Sequence, residues 1–344
     1  MTGKRRTGAR AVKERAFHAW ISKNLPAGHA GLLPIGDDAA ALRPPARHVA
    51  VISTDTLVEG SHFEPRSPPE RVGAAAAAVS LSDVAAKGAT PDAILLALVL
   101  PVGTPERWAQ SVLRGAERLG ARFGAHVVGG DTKPGPVRAV VSTVLGWGDP
   151  AHLAPRSGAR PGDILAVTGE VGRGGLAAAR LRSNGPRSRR ALVELLDVRP
   201  RVREGIVLAP FAHALIDTSD GLADSARLVA TSSRVRLVVE EERLPLAAGV
   251  RSQARTPARR RALAFFGGDY ELFAALPGRE WVAAEKAVRR AGGRLSRIGR
   301  VERGAGAWLE TAEGRVPMPP AGWQPFEQRR TRSPRARSPR VNSG

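Results

Sequence analysis

Five short segments set an aspartate beside Gly, Ser or Thr where an apolar run stops: Gly36-Asp37-Asp38, Ser53-Thr54-Asp55, Ser82-Asp83, Gly129-Gly130-Asp131 and Asp217-Thr218-Ser219-Asp220. Singly, each reads as a turn or a helix N-cap. Together, in a chain with only 32 acids against 53 Lys and Arg, they point to a clustered anionic site. Two carboxylates about 6 Å apart repel by roughly 3 kcal/mol at an effective dielectric of 20. Several brought together therefore call for cations. The small neighbours leave room for a metal ion and for phosphate to approach backbone N–H groups.

The chain has no cysteine, which excludes disulfides, thiolate-held zinc, iron–sulfur clusters and a cysteine nucleophile. A metal here would be held by oxygen or imidazole, and oxygen favours a hard cation such as Mg²⁺. The Walker A pattern and the protein-kinase motif set are both missing from the sequence. The glycine-rich segment 169–175 follows an apolar run but lacks dinucleotide-binding spacing, so it reads as a structural turn. Seven histidines are scattered along the chain, and only His62, seven residues past Asp55, is expected to face the same pocket.

The elements needed to position these residues follow from periodicity and from Gly/Pro punctuation. A helix is expected over 13–23, with Phe17, Trp20 and Ile21 on one side, and a strand over 48–53 that delivers Thr54 and Asp55 at its end. An alanine-rich helix spans 69–87, a buried strand 93–100, a helix 105–123, a strand 125–128 that breaks at Gly129-Gly130-Asp131, and a strand 137–145. After a Gly/Pro-rich link over 146–162 come a strand at 164–168, an Ala-rich helix to 181, a strand at 214–216, a helix at 222–230, and strands at 235–239 and 272–276. The class is α/β (α+β) in two domains, residues 13–148 with a mixed sheet and helices and residues 149–327 of α/β type.

Half of the net charge of +21 comes from the ends. Residues 1–15 carry six Lys/Arg against one Glu, and residues 328–344 carry six Arg and no acid. Residues 1–12 and 328–344 have the composition of disordered, solvated tails, with at most weak, salt-sensitive attraction to nucleic acid. A third basic stretch, 180–203, holds eight Arg against two acids. With no secretory signal and no apolar run of membrane length, a cytoplasmic location is expected.

The ordered set IGDDAA (35–40), STDTLVEGSHF (53–63), SLSDVAAKGATP (80–91), GGDT (129–132), RSGARPGD (156–163), DTSDGL (217–222) and DYEL (269–272) resembles the thiamine-monophosphate kinases, of the aminoimidazole ribonucleotide synthetase-like superfamily. The resemblance covers about residues 13–326. It implies a homodimer formed through the N-terminal domain and Mg²⁺-dependent transfer of the ATP γ-phosphate to thiamine monophosphate, giving thiamine diphosphate and ADP. Asp38, Ser53, Thr54, Asp55, Asp83, Asp131, Asp217 and Asp220 would hold several Mg²⁺ ions, with a monovalent cation a further candidate. Gly130, Asp131, Arg156 and Ser219 would contact ATP, and His62 and Trp323 the thiamine substrate. An acceptor that is itself a phosphate needs no general base, and no side chain here is assigned as one.

Three positions depart from the family pattern. Gly268 stands where the family has a substrate-contacting Glu, with Asp269 and Glu271 as the carboxylates available to compensate. Ser80 replaces an Asn, and Lys133-Pro134-Gly135 lacks the usual Arg. The rival readings are a phosphotransferase of the same superfamily with another acceptor, and a non-catalytic polyanion-binding homologue.

Overall fold

The computed structural model describes residues 42–182 and 186–322, with Phe17, Trp20, Ile21, Lys23 and Asn24. Asp38, Trp323 and both basic tails lie outside these residues.

The organising element is helix α1 (Pro69–Ala85), which starts with Pro69 in its first turn, where the absent N–H costs nothing. Val72, Ala75 to Ala78, Val79, Leu81, Val84 and Ala85 are buried, so beyond its first turn the helix lies between layers rather than on a surface. Strands β1 (Val49–Val58), β2 (Thr90–Leu100), β3 (His126–Pro134) and β4 (Ala139–Gly148) form a mixed sheet in the order β1-β4-β2-β3. Helix α2 (Glu106–Ala121) packs beside α1 at glycine contacts. A Cβ on Gly73 would fall 1.8 Å from the Val112 carbonyl oxygen, and one on Gly115 would fall 1.9 Å from that of Glu70. Only glycine lets the two backbones touch. Phe17 and Trp20 stack, and Phe17 is fully buried in this first core.

The second sheet has seven strands in the order β11-β10-β7-β9-β5-β8-β6. They are β5 (Ile164–Thr168), β6 (Ala214–Asp217), β7 (Arg236–Glu240), β8 (Leu272–Leu276), β9 (Leu295–Glu302), β10 (Gly306–Thr311) and β11 (Gly314–Pro317). The chain between β5 and β6 forms α3 (Arg173–Leu181), α4 (Pro186–Leu195) and α5 (Val202–Leu208). Later helices are α6 (Leu222–Ser233), α7 (Val250–Gln253), α8 (Pro257–Ala264) and α9 (Trp281–Arg290). One core beneath the sheet takes Leu222, Ala226 and Val229 of α6, and the other takes Leu208 of α5 with Ala284 and Val288 of α9.

Helix α5 joins the two sheets' layers. A Cβ on Gly205 would sit 2.1 Å from the Ala85 carbonyl oxygen, and Val202 belongs to the first core while Leu208 belongs to a core of the second sheet. The C-terminal end of α1 is thereby pressed against β6. The opposite face of the first sheet carries no described helix, and Ile52 (62%) and Leu95 (44%) stay exposed there.

Two expected boundaries are corrected. β1 continues to Val58, so Asp55 lies within the strand, and β3 runs through Gly129-Gly130-Asp131 to Pro134 instead of breaking there. The β-branched Val49, Val51, Ile52, Thr54, Thr56 and Val58 of β1 suit a strand, and pairing with β4 holds over all ten residues. Strands β9 to β11, rich in Arg and Glu, were not foreseen. Their charges pair across strands, as in Arg300 with Glu240 and Glu310, so the polar side chains stabilise the sheet instead of interrupting it.

Replacing Gly73 by Ala should force α1 and α2 apart and cost about 3 kcal/mol, at the upper end of overpacking penalties. Urea unfolding of the purified variant reads this directly, and an unchanged midpoint would refute the close helix contact.

Candidate active site

Three serines on or beside the end of α1 fix the carboxylates around it. The Ser80 hydroxyl lies 3.1 Å from Asp55 Oδ2 and 3.0 Å from the Ser142 carbonyl oxygen, its single proton shared between the two acceptors. Ser53 Oγ donates to Asp83 Oδ2 at 2.5 Å, and Ser82 Oγ reaches across to Asp217 Oδ2 at 2.7 Å. Ser219 Oγ donates to the other Asp217 oxygen at 3.0 Å. Two carboxylates from the first sheet's unit thus meet Asp217 and Asp220 from the second. The residue at position 80, which departs from the family, keeps a polar bridge between helix and strand.

Electrostatics reveal how tightly the four are grouped. Burial, then Asp83, pushes the Asp217 carboxyl up to about 6. Burial also raises Asp55, followed by repulsion from Asp83, and raises Asp220, followed by Asp224 and Asp83. Asp83 lies in the last turn of α1, where the helix dipole adds further negative potential and no basic residue offsets it. Just beyond, Lys87 is half-buried and donates to the Ala154 and Leu215 carbonyls at 3.1 Å each. Burial and the neighbouring Arg156 depress its ammonium to about 8. Lys87 ties the segment after β4 to β6, while Arg156 is exposed beside it.

Sheet register separates the remaining candidates. Asp55, Ser142, Leu96 and Gly130 form one row across the four strands. Since successive side chains alternate faces, Ser53 and Asp55 point toward α1, whereas Thr54 and Asp131 point to the open face. Thr54 there bonds Thr143 at 2.9 Å, and Asp131 Oδ1 accepts from Thr132 N–H and Lys133 Nζ. Within a single chain, Thr54 and Asp131 therefore stand on the face opposite Ser53 and Asp55. Gly130 has a packing reason of its own, because a Cβ there would lie 2.0 Å from the Leu96 carbonyl oxygen. His62 closes the turn after β1, its Nδ1 accepting from Val58 N–H at 3.1 Å, and burial lowers its pKa.

Neither carboxylate expected to compensate for Gly268 is available. Asp269 accepts the Gly172 and Gly174 N–H groups at 2.7 and 2.9 Å, filling the N-terminus of α3. That carboxylate occupies the place an anion would take, so the glycine-rich turn is structural. Glu271 is buried in a bidentate pair with Arg201 at 2.6 and 2.5 Å and also accepts from Thr168. Gly268 itself sits at φ +76°, a conformation that disfavours any side chain.

Among the described residues, no three carboxylate or imidazole groups converge to enclose one ion. The described groups alone do not enclose an ion, and Mg²⁺ does not require that they do. That ion is commonly held by one or two carboxylates, with phosphate oxygens and water completing its shell. Oriented, partly buried, all-oxygen donors that repel one another fit such ions. Sequence reasoning missed Lys87 and Tyr270 as parts of this neighbourhood. Both lay inside noted motifs, and Tyr270 is the chain's single tyrosine.

The two sheets joined at a carboxylate-lined seam define the AIR synthase-related class. The N-terminal domain of AIR synthase related proteins matches residues 36–148, and the C-terminal domain matches residues 160–309. Thiamine-monophosphate kinase of Synechococcus elongatus is 38% identical over 240 residues, covering 63% of this chain and 73% of the relative. That of Caulobacter vibrioides is 33% identical over 299 residues, covering 84% of each. The crystal structure of the Stenotrophomonas maltophilia enzyme superposes with TM-score 0.75 at 30% identity, over 88% of this chain and 98% of that one. AaThiL complexed with AMPPCP and TMP gives 0.70 at 27% identity, over 94% and 98%. The hydrogenase maturation protein HypE in complex with ATP, at 23% identity and TM-score 0.67, over 83% of this chain and 88% of that one, shares the fold. The chain belongs to the thiamine-monophosphate kinase family.

Asp269 supplies a pH test. Burial, outweighing its two N–H donors, lifts its carboxyl from an ordinary 3.8 to about 7. The fold favours the neutral acid, so this contribution is complete below the unfolded value and is lost as pH rises through 7. Between pH 6 and 8 stability should fall by about 1.4 kcal/mol on this account. Urea midpoints across that range should show a decline that Asp269→Asn lacks; parallel curves would refute the shift.

Proposed function

We propose that this protein transfers the γ-phosphate of ATP to thiamine monophosphate, with Mg²⁺ as the required cation. The observation that carries the reading is the group of four carboxylates at the seam of the two units, Asp55, Asp83 and Asp217 oriented by serines and Asp220 beside them. The second oxygens of Asp55 and Asp83, and the whole Asp220 carboxylate, accept no hydrogen bond from the described residues. They are available to hold metal. When bound, Mg²⁺ supplies charge neutralisation for two phosphate chains that would otherwise repel.

The chain's own residues orient and exclude. Ser53, Ser80 and Ser82 hold the carboxylate planes, so little reorganisation remains at the moment of transfer. The acceptor phosphate is mostly dianionic at neutral pH and is already a nucleophile. Removing a proton from it is unnecessary. Lys87 and Arg156 place positive charge behind Asp217. Asp38, lying outside the described residues, is proposed as a further metal ligand by family resemblance, and His62 and Trp323 as thiamine contacts. The domain division at 148/149, a cytoplasmic location and a monovalent cation also belong to this proposal. Among the described residues, no helix is long and apolar enough to cross a membrane.

A homodimer completes the reading. Thr54, Asp131 and Gly130 are candidate ligands, yet Thr54 and Asp131 lie on the open face among Ile52, Leu95 and Val99. A second copy packed on that apolar face would cover it and place its own groups beside Asp131, which makes the site composite.

Purified protein with ATP and Mg²⁺ should convert thiamine monophosphate to thiamine diphosphate, measured by chromatography of the products. ATP turnover without diphosphate would overturn the acceptor while leaving the kinase. Asp55→Asn and Asp131→Asn should each lower kcat by about 100-fold or more, as loss of a charge-positioning group does. Mixing the two inactive variants after partial unfolding and reassembly should recover a measurable fraction of activity. No recovery would rule out a composite site.

A further inference from the structure

Tyr270 combines three features that no other described residue shares. It is a bulky side chain at φ +55°, in the left-handed region that such residues rarely enter. It is covalently part of the second unit yet packs, half-buried, against the hydrophobic core of the first. Its immediate neighbours are both clamped. On one side Asp269 accepts the Gly172 and Gly174 N–H groups. On the other, Glu271 is held by Arg201 and Thr168, and its backbone N–H and carbonyl both engage Thr218. One residue earlier, Gly268 N–H bonds the Ser219 carbonyl at 2.7 Å.

A strained conformation persists only where the surroundings over-determine it. Here the clamps face into the second unit, and the reversal at Tyr270 throws its ring the other way, toward the seam. The same clamps run to Thr218 and Ser219, the loop between Asp217 and Asp220. The ring's position relative to the first unit is therefore linked to the position of those two carboxylates. All four seam aspartates act electrostatically on the phenol, which burial and their charge keep protonated.

We infer that Tyr270 is a positioning residue, a strut whose ring sets the spacing between Asp55 and Asp83 on one unit and Asp217 and Asp220 on the other. Its ring volume does this, not its hydroxyl, which has no hydrogen-bond partner among the described residues. The inference rests on the Mg·ATP reading of the seam but is independent of the acceptor's identity.

Three variants test it. Tyr270→Phe keeps the strut, while Tyr270→Gly removes the ring and suits the backbone at positive φ. Tyr270→Asn, which also tolerates that region, replaces the glycine variant if that one does not fold. Calorimetric binding of Mg²⁺ with AMPPCP should be parental in the Phe variant and weakened roughly tenfold or more in the Gly or Asn variant. The unliganded melting transition should stay cooperative and shift by only a few degrees. Turnover should follow the same order, with the loss in the Mg²⁺ concentration needed for half-maximal rate. Parental binding by the ringless variant would overturn the strut, as would a Phe variant as defective as Gly. Tight Mg·AMPPCP binding by the parent without thiamine diphosphate formation would instead count against the acceptor assignment and leave the strut standing.

Discussion

Four carboxylates crowd around the C-terminal end of one helix, and most of the surrounding architecture can be understood as what keeps them there. Burial raises the pKa of Asp55, Asp217 and Asp220, Asp83 adds to each, and Asp83 gains nothing from the helix terminus on which it sits. Without cations this is an unfavourable arrangement. It survives because α1, beyond its first turn, lies between layers and cannot rotate its end away. The alanines and glycines that let α2 and α5 approach its backbone are therefore part of the site's chemistry as well as its packing.

The serines turn this crowding into orientation. Ser53, Ser80 and Ser82 each satisfy one carboxylate oxygen, and for Asp55 and Asp83 this leaves the other oxygen facing the seam. A lysine or arginine in the same places would have neutralised the aspartates internally and left no demand for metal. The contrast lies a short distance away. Glu271 is paired with Arg201, and Asp269 with a helix N-terminus, so these buried carboxylates are spent on structure. Whether an acid is functional here depends on which donor reached it first.

That distinction also marks what could be read from the sequence. The positions of Asp83 at a helix end and of Asp217 at a strand end, the helix over 69–85 and the strands at 164–168 and 272–276 were legible, because apolar runs bounded by Gly and Pro have one simple reading. The length of β1 and β3 was not. Thr and Asp in β1, and two glycines in β3, look like strand ends locally, and only pairing with β4 and β2 carries the strands through them. Strands β9 to β11 escaped for a related reason, since their polar residues are stabilised by partners far away in sequence. The roles of Asp269 and Glu271 were equally hidden. A carboxylate near a substrate motif looks like a ligand until its donors are known.

The face on which a residue sits proved as informative as its neighbours. Asp55 and Asp131 belong to adjacent rows of one sheet, yet alternation sends their side chains to opposite sides. A single chain offers no route between those sides except around the sheet edge. Two facts then share one explanation. The open face is apolar although nothing described covers it, and polar groups of the phosphate-handling motifs emerge in its midst. The proposed second copy against that face would bury the first and bring the second into a shared site. On this view the sheet divides the catalytic groups between two chains, and dimerisation is a condition of chemistry and not only of stability.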